Sequence, residues 1–321
     1  MLGTMQDLLP KSDDELLTLD DYQSSVPRWC TGCGDLGILT ALQRLCRDED
    51  LPREKTVFVS GIGCSSRFPH YMNTYGFHSL HGRAIPVAEG IKMRRPDLNV
   101  FVNTGDGDCC SIGTAHWIHA IRYNMDMTVM MHDNRIYGLT KMQASPTTPR
   151  GLKSNTSPRG AYLDPLNPLS TTLGVANVSF VAQAVDWIPD LFHDIISQAF
   201  HHKGLSFIAI LQRCPNYLPT LFDPWLEDTE KTQILTHKDG LQLDPGLSKI
   251  YKNQLEHDPS DINRARELAA STDIVPVGIL YRNDEVPCYE DVRRPDRIYT
   301  PELIERAFNE ELDNFTVETA G

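Results

Sequence analysis

Four short apolar runs constrain this chain more than any other feature. They are TVFVSG (56–61), NVFVNTG (99–105), MTVMMHDN (127–134) and LSFIAIL (205–211). Each is continuous in polarity rather than alternating, and three close on Gly or Asn, as strands buried on both faces of a parallel sheet do. Helical patterns lie between and around them. DLGILTALQRLCRD (35–48) spaces Leu36, Leu39, Leu42 and Leu45 by threes, with Asp35 as N-cap or first-turn acid. SIGTAHWIHAIRYN (111–124) and PDLFHDIISQAFHH (189–202) read the same way. Strands that alternate with helices predict an α/β protein with a doubly wound, mostly parallel sheet.

The 321 residues divide on composition into an acidic arm (1–25), an α/β domain (26–218) and a C-terminal extension (219–321). The extension is rich in Pro and charge, and its only firm element is a helix near 259–271. Residues 142–172, rich in Pro, Ser, Thr and Asn, read as one long loop, and long ordered loops are usually functional. The net charge of −13 argues against broad nucleic-acid binding, because it repels phosphate backbones. Local cations and helix N-termini can still hold an anionic ligand. There is no apolar run of about 18 residues, so no membrane span is expected. No secretory signal is read at the N-terminus, and a cytoplasmic location is expected. In that reducing compartment the eight cysteines point to metal ligation, catalysis or packing rather than disulfides.

NVFVNTG runs into Gly105-Asp106-Gly107-Asp108, and a helix pattern follows within a few residues. Glycines at a strand's carboxyl end let backbone N–H groups approach a diphosphate. A carboxylate there offers Mg²⁺ a hard oxygen ligand. The next predicted strand ends at Asn134, 28 positions after Asp106, and the Ile136 carbonyl follows two residues later. If the two strands are neighbours, these groups converge on one ion. A GDG tight turn and an Asn helix cap are the bland readings. GDGD followed by this spacing and by NRIYG resembles the thiamine-diphosphate fingerprint.

Trp29-Cys30-Thr31-Gly32-Cys33-Gly34-Asp35 contains a Cys-x-x-Cys pair. A thioredoxin-like pair would sit just after a strand, and a zinc site would need a second close pair. Cys64 follows the first strand within GIGCSSR, and Cys214 follows the last within QRCP. Both stand at carboxyl ends, on the edge that carries the phosphate loop, so four thiolates can gather there and hold a [4Fe–4S] cluster. Cys46 reads as core, while Cys109, Cys110 and Cys288 need no role.

WCTGCGD, SGIGCSSR, HSLHGRAIPVAEGIK, NTGDGD and NRIYGLTKMQASPTT, in that order over about residues 28–218, resemble the β subunit of the 2-oxoacid:ferredoxin oxidoreductases. The resemblance implies a thiamine-diphosphate-binding fold. It implies Cys30, Cys33, Cys64 and Cys214 as cluster ligands, and Asp106, Asn134 and the Ile136 carbonyl as Mg²⁺ ligands. Ile62, Gly63, Cys64, Ser65, His81, Gly105, Gly107, Asp108, Gly138 and Leu139 are then cofactor contacts. Thr31 departs from the pattern, which has Pro there. Arg67 and Lys141 are candidate cations for a second substrate carboxylate or coenzyme A. The implied activity is coenzyme-A-dependent oxidative decarboxylation of a 2-oxo acid, 2-oxoglutarate in preference to pyruvate, with electrons passed to ferredoxin. An α subunit, in an (αβ)₂ assembly, would supply the pyrimidine half of the site and the activating glutamate. Glu89 is therefore not assigned that role. The alternatives are a non-redox thiamine enzyme with structural cysteines and an iron–sulfur carrier.

Overall fold

The computed structural model describes residues 16–238, 240–293 and 300–315. The four apolar runs are the strands β1 (Thr56–Ser60), β3 (Asn99–Gly105), β4 (Met127–Asp133) and β6 (Leu205–Leu211), joined by β2 (Tyr75–His78) and β5 (Phe180–Val185). With β7 (Thr232–Thr236), β8 (Gln254–Glu256) and β9 (Val275–Arg282) they form one nine-stranded sheet of order β2-β1-β3-β4-β6-β5-β9-β7-β8. Every pairing from β2 to β5 is parallel; β9 then runs antiparallel to β5, and β7 and β8 follow β9.

Side-chain alternation along the strands feeds two cores, one on each face. Phe58 and Phe101 stack at 5.0 Å on the face covered by α1 (Gly34–Asp48), whose Ile38, Leu42 and Leu45 are fully buried. Val57, Val59, Val100 and Val102 point to the other face. There they meet α2 (Ala84–Arg94) and, past the short α3 (Asp106–Cys109), Trp117 and Ile121 of α4 (Thr114–Tyr123). The short α5 (Pro168–Leu173) joins this second face, and α6 (Pro189–His201) lies beside α1 on the first. The arrangement is the expected doubly wound three-layer sandwich. Cys46 is fully buried in the first core, as its helical position requires, and Asp35 sits in the first turn of α1 rather than at its cap.

The C-terminal third corrects the sequence reading. The one helix that sequence predicts there is present as α9 (Ile262–Ala269), preceded by the short α7 (Asp223–Glu227) and α8 (Pro245–Ile250). The same stretch also contributes three strands to the sheet. β7 and β8 are only five and three residues long, and β9 is broken in pattern by Pro276 and Gly278. Gly278 is required there: its φ is +138°, and a Cβ would stand 2.9 Å from the Leu235 carbonyl oxygen. Of the acidic arm, residues 1–15 lie outside the described residues, and the rest carries Tyr22, fully buried, whose hydroxyl donates to the Leu51 carbonyl at 2.8 Å. No helix among the described residues is long and apolar enough to cross a membrane.

Candidate cofactor cleft and cysteine cluster

Because β1, β3, β4 and β6 are consecutive and parallel, their carboxyl ends open on one rim. β3 and β4 lie at its centre, paired in register Gly105↔His132, so Asp106 and Asn134 leave the sheet side by side. Asp106 is 2% exposed. Its Oδ2 accepts from Ser145 Oγ at 2.5 Å and Thr147 Oγ1 at 2.6 Å, both in the long loop that sequence marks as functional. Thr147 Oγ1 also lies 2.8 Å from Asp133 Oδ1. The Thr147 proton can go to only one of the two carboxylates at a time, and the pair's remaining donors are the neutral Ser145 hydroxyl and Arg135 backbone N–H. Burial, with the Asp133 carboxylate next, pushes Asp106 up to about 7. Asn134 Oδ1 accepts from the Ile136 N–H at 3.1 Å, across Arg135 with its left-handed φ of +60°. Arg135 turns away, its guanidinium over the rings of Phe222 and Trp225.

Around these groups lies a cleft of about 130 Å³. Ile62–Ser65 after β1, Gly105–Asp108 after β3, and Asn134 with Ile136–Thr140 after β4 form its walls, and His132 lines it too. Three loops converge on Asp108. Its Oδ1 accepts from the Gly82 N–H at 2.6 Å and pairs with His81 Nδ1 at 3.0 Å; its Oδ2 accepts from Thr104 Oγ1 at 2.8 Å and the Ile62 N–H at 3.3 Å. Asp108 therefore shapes the cleft from behind, and it fixes its neighbours: a Cβ on Gly61 would meet Asp108 Oδ2 at 1.6 Å. Gly63, at φ +87°, faces open space, and Gly107 lies under the Tyr137 ring, where a Cβ would come within 2.3 Å.

The cysteines flank this centre. Cys33 closes a turn on the Cys30 carbonyl and ends just before α1. The Gly34 N–H then donates to the Arg213 carbonyl at 3.2 Å, tying that turn to the loop of Cys214. Trp29 Nε1 donates to the Cys64 carbonyl at 2.8 Å, tying the same turn to the end of β1. The thiols sense one another. Burial, then the Asp35 carboxylate, then Cys64 and Cys214 drive the Cys33 thiol far above its usual range. Burial, Asp35, Cys214 and Cys30 push Cys64 up to about 12, opposed by Arg67. A Cβ placed on Gly138, in the cleft wall, would stand 3.8 Å from Cys214 Sγ, so Cys214 lies one residue behind the cleft, while Cys64 lines the cleft itself.

The other expected residues are less central. His81 meets the site through Asp108. Arg67 donates to the Arg28 carbonyl at 3.3 Å on the cysteine side, outside the cleft wall. Lys141, at φ +73°, is exposed in the turn just beyond Thr140. Glu89 pairs with His119 at 3.5 Å between α2 and α4, away from the cleft.

Four features take their roles only from the structure. Tyr137 donates its hydroxyl to the Gly107 carbonyl at 2.8 Å. Ser145 and Thr147 hold Asp106. His132 pairs with Asp35 at 2.8 Å beneath the cleft, both nearly inaccessible. Gln212 stands between Asn134 and Cys33. Only the position of His132 and Gln212 at strand ends hints at them.

Residues 61–210 match the family model described as the thiamine pyrophosphate enzyme C-terminal TPP binding domain. Residues 247–295 match the model for the C-terminal part of the pyruvate ferredoxin oxidoreductase β subunit. The chain is 42% identical over 243 residues to the 2-oxoglutarate oxidoreductase subunit KorB of Mycobacterium tuberculosis, covering 76% of this chain and 65% of that protein. It is 40% identical over 270 residues to a 2-oxoacid:ferredoxin oxidoreductase subunit β of Sulfolobus sp, covering 82% and 84% of the two chains. It superposes with a TM-score of 0.75 and 32% identity on a chain of the 2-oxoglutarate:ferredoxin oxidoreductase of Magnetococcus marinus, solved with 2-oxoglutarate, coenzyme A and succinyl-CoA bound, over 95% of this chain and 98% of that one. Fold, cleft and relatives agree: the chain belongs to the β subunits of the 2-oxoacid:ferredoxin oxidoreductases.

Proposed function

We propose that this chain binds the diphosphate of thiamine diphosphate through Mg²⁺, holds one [4Fe–4S] cluster, and with an α subunit oxidises 2-oxoglutarate to succinyl-CoA and CO₂. The observation that carries the reading is the shared rim: the buried, raised Asp106 and the free Cys64 line one cleft, and the free Cys214 lies just behind Gly138 of its wall.

The residues fit both groups. Asp106, Asn134 and the Ile136 carbonyl offer hard oxygen donors, and a cation would relieve the crowding of Asp106 and Asp133. The open, left-handed Gly63 leaves room for a diphosphate against the backbone. What suits a cluster is that the thiols lie near enough to raise one another, Cys33 by Cys64 and Cys214, and Cys64 by Cys214 and Cys30.

When bound, thiamine diphosphate supplies an electron sink for decarboxylation, and an iron–sulfur cluster supplies a one-electron acceptor on the way to ferredoxin. The chain's own part is placement. Asp108 locks the loops after β1 and β3 and the His81-Gly82 loop into one wall. Tyr137 fixes the Gly107 carbonyl, and Ser145 and Thr147 aim Asp106. Arg67 favours the Cys64 thiolate. Lys141, at the lip, is a cationic contact for the second carboxylate or for coenzyme A. The preference for 2-oxoglutarate over pyruvate rests on the relatives named for that substrate.

The test is anaerobic co-purification with the α subunit, then assay of both 2-oxo acids with coenzyme A and ferredoxin. Faster turnover of 2-oxoglutarate is expected, with the isolated chain inactive. Activity of the isolated chain would overturn the two-subunit site, and faster turnover of pyruvate would overturn the substrate assignment.

A further inference from the structure

Gln212 is the first residue after β6, and it is 1% exposed. Its backbone N–H donates to the Asp133 carbonyl at 3.0 Å, continuing the β4–β6 ladder beyond the strand itself. The side chain is thereby held between the two halves of the rim. Nε2 donates to the Arg213 carbonyl at 2.5 Å and to Cys33 Sγ at 3.4 Å. Oε1 accepts from Asn134 Nδ2 at 3.0 Å.

The amide orientation follows from these partners. A backbone carbonyl only accepts, so the nitrogen of Gln212 must face Arg213 and the oxygen must face Asn134. Asn134 must then present its own nitrogen to Gln212, which leaves Oδ1 turned toward the Ile136 N–H and the cleft. A single buried amide thus fixes which end of Asn134 faces the cation. It also places an N–H donor on the sulfur of Cys33. A hydrogen bond to a ligating thiolate stabilises the more electron-rich, reduced cluster and raises its potential.

We propose that Gln212 is a positioning residue that serves both halves of the site at once, orienting Asn134 for Mg²⁺ and tuning the cluster through Cys33. The inference rests on the cofactor assignment above and adds to it a physical link between the two centres. In that role Gln212 touches neither substrate nor cofactor. It acts through Asn134 on one side and through Cys33 on the other.

Two variants, co-expressed with the α subunit and purified anaerobically, separate its roles. Gln212→Met keeps the length and removes both bonds. It is expected to weaken Mg²⁺-dependent thiamine diphosphate binding by about 10–100-fold and to shift the cluster potential to more negative values. Gln212→Glu restores the acceptor for Asn134 but not the donor to Cys33. Cofactor affinity should recover toward wild type, while the potential stays shifted or falls further. Iron and sulfide content and cofactor titration of the wild-type complex are the reference. Wild type without iron would sink the cluster assignment itself. Iron-replete wild type together with Gln212 variants of unchanged potential and affinity would sink the role of Gln212 alone. If Gln212→Met fails to fold, the split between affinity and potential in Gln212→Glu decides, and a Gln212→Glu variant that matches wild type in both refutes the proposal.

Discussion

The oxygen side and the sulfur side of the rim are built differently. Asp106 and Asn134 leave two adjacent central strands in register, so the sheet alone brings them together. The cysteines come from the outer strands β1 and β6 and from the turn before α1, and separate tethers hold them: Trp29 to the Cys64 carbonyl, and Gly34 to the Arg213 carbonyl. The electrostatics differ too. Asp106 and Asp133 are two buried carboxylates held by the hydroxyls of Ser145 and Thr147 and by no cation side chain among the described residues, so the oxygen side is poorly neutralised. The Cys33 and Cys64 thiols are raised and therefore neutral, so the sulfur side carries no comparable unbalanced charge. One half is a charge that waits for a counter-ion; the other is a neutral cage held by loops.

If the halves are separate, each should fail alone. Cys33→Ser is expected to lose essentially all bound iron while thiamine diphosphate affinity stays within about threefold, because Ser can still accept from Gln212. Iron analysis and cofactor titration on the same preparation check this. A large fall in cofactor affinity would mean that the cluster braces the cleft. The converse variant, Asp106→Asn, should weaken Mg²⁺-dependent cofactor binding by about 100-fold or more while leaving iron content unchanged. Loss of iron in that variant would erase the distinction from the other side.

The charge difference also predicts opposite responses to pH. In the folded chain Asp106 keeps its proton up to about 7, whereas an unfolded aspartate releases it near pH ~4. Between those values the folded state binds more protons than the unfolded state. Raising pH through that window therefore removes stability from the cofactor-free chain, and the penalty is complete above about 7. Mg²⁺ competes with the same proton. Its affinity should climb by up to about tenfold per pH unit and flatten above that value. Thermal melts of wild type and Asp106→Asn without cofactor should diverge as pH rises, with wild type losing more. Parallel curves would show that the acid pair is already neutralised by other means.

Gly107 tests the same wall sterically. Gly107→Ala puts a Cβ against the Tyr137 ring, and the ring must move. Overpacking of this kind costs about 1–3 kcal/mol, and the Tyr137 bond to the Gly107 carbonyl should go with it. Cofactor affinity is expected to fall by about tenfold with iron unchanged. An unaltered titration would show that Tyr137 swings aside freely.

How much of this is readable in the sequence divides along the same line. The oxygen side is legible because β3 and β4 are continuous apolar strands and their ends carry the motif. Cys64 and Cys214 are legible at strand ends and Cys30 and Cys33 as a Cys-x-x-Cys pair, although their tethers are not. β2 escapes a sequence reading because all four of its residues are exposed at the sheet edge, and β9 because Pro276 and Gly278 break its pattern. The His132–Asp35 pair spans 97 residues and the Gln212–Cys33 bond 179, and no local periodicity encodes a contact of that range. Ser145 and Thr147 belong to a loop whose importance is plain from composition and whose contacts are not. Sequence thus carries the candidate ligands, while the residues that hold them in place appear only once the strands are placed side by side.

The smallest effect concerns the cysteines outside the cage. Cys46 is fully buried on the inner face of α1, packed in the first core rather than on the rim. Burial drives its thiol up to about 12, so it is a neutral, apolar side chain in the folded protein. Cys46→Ala removes one buried sulfur and leaves a small void, which costs about 1 kcal/mol. Denaturant melts should show that loss, and iron content, cluster potential and cofactor affinity should match wild type. The neutral outcome is informative because α1 starts at Gly34, directly after Cys33, and Asp35 in its first turn underlies the cage. If loosening the middle of that helix shifted the cluster potential, the cage would be braced by the whole of α1 and not by its loop tethers, and the view of a sulfur side held only by loops would have to be abandoned.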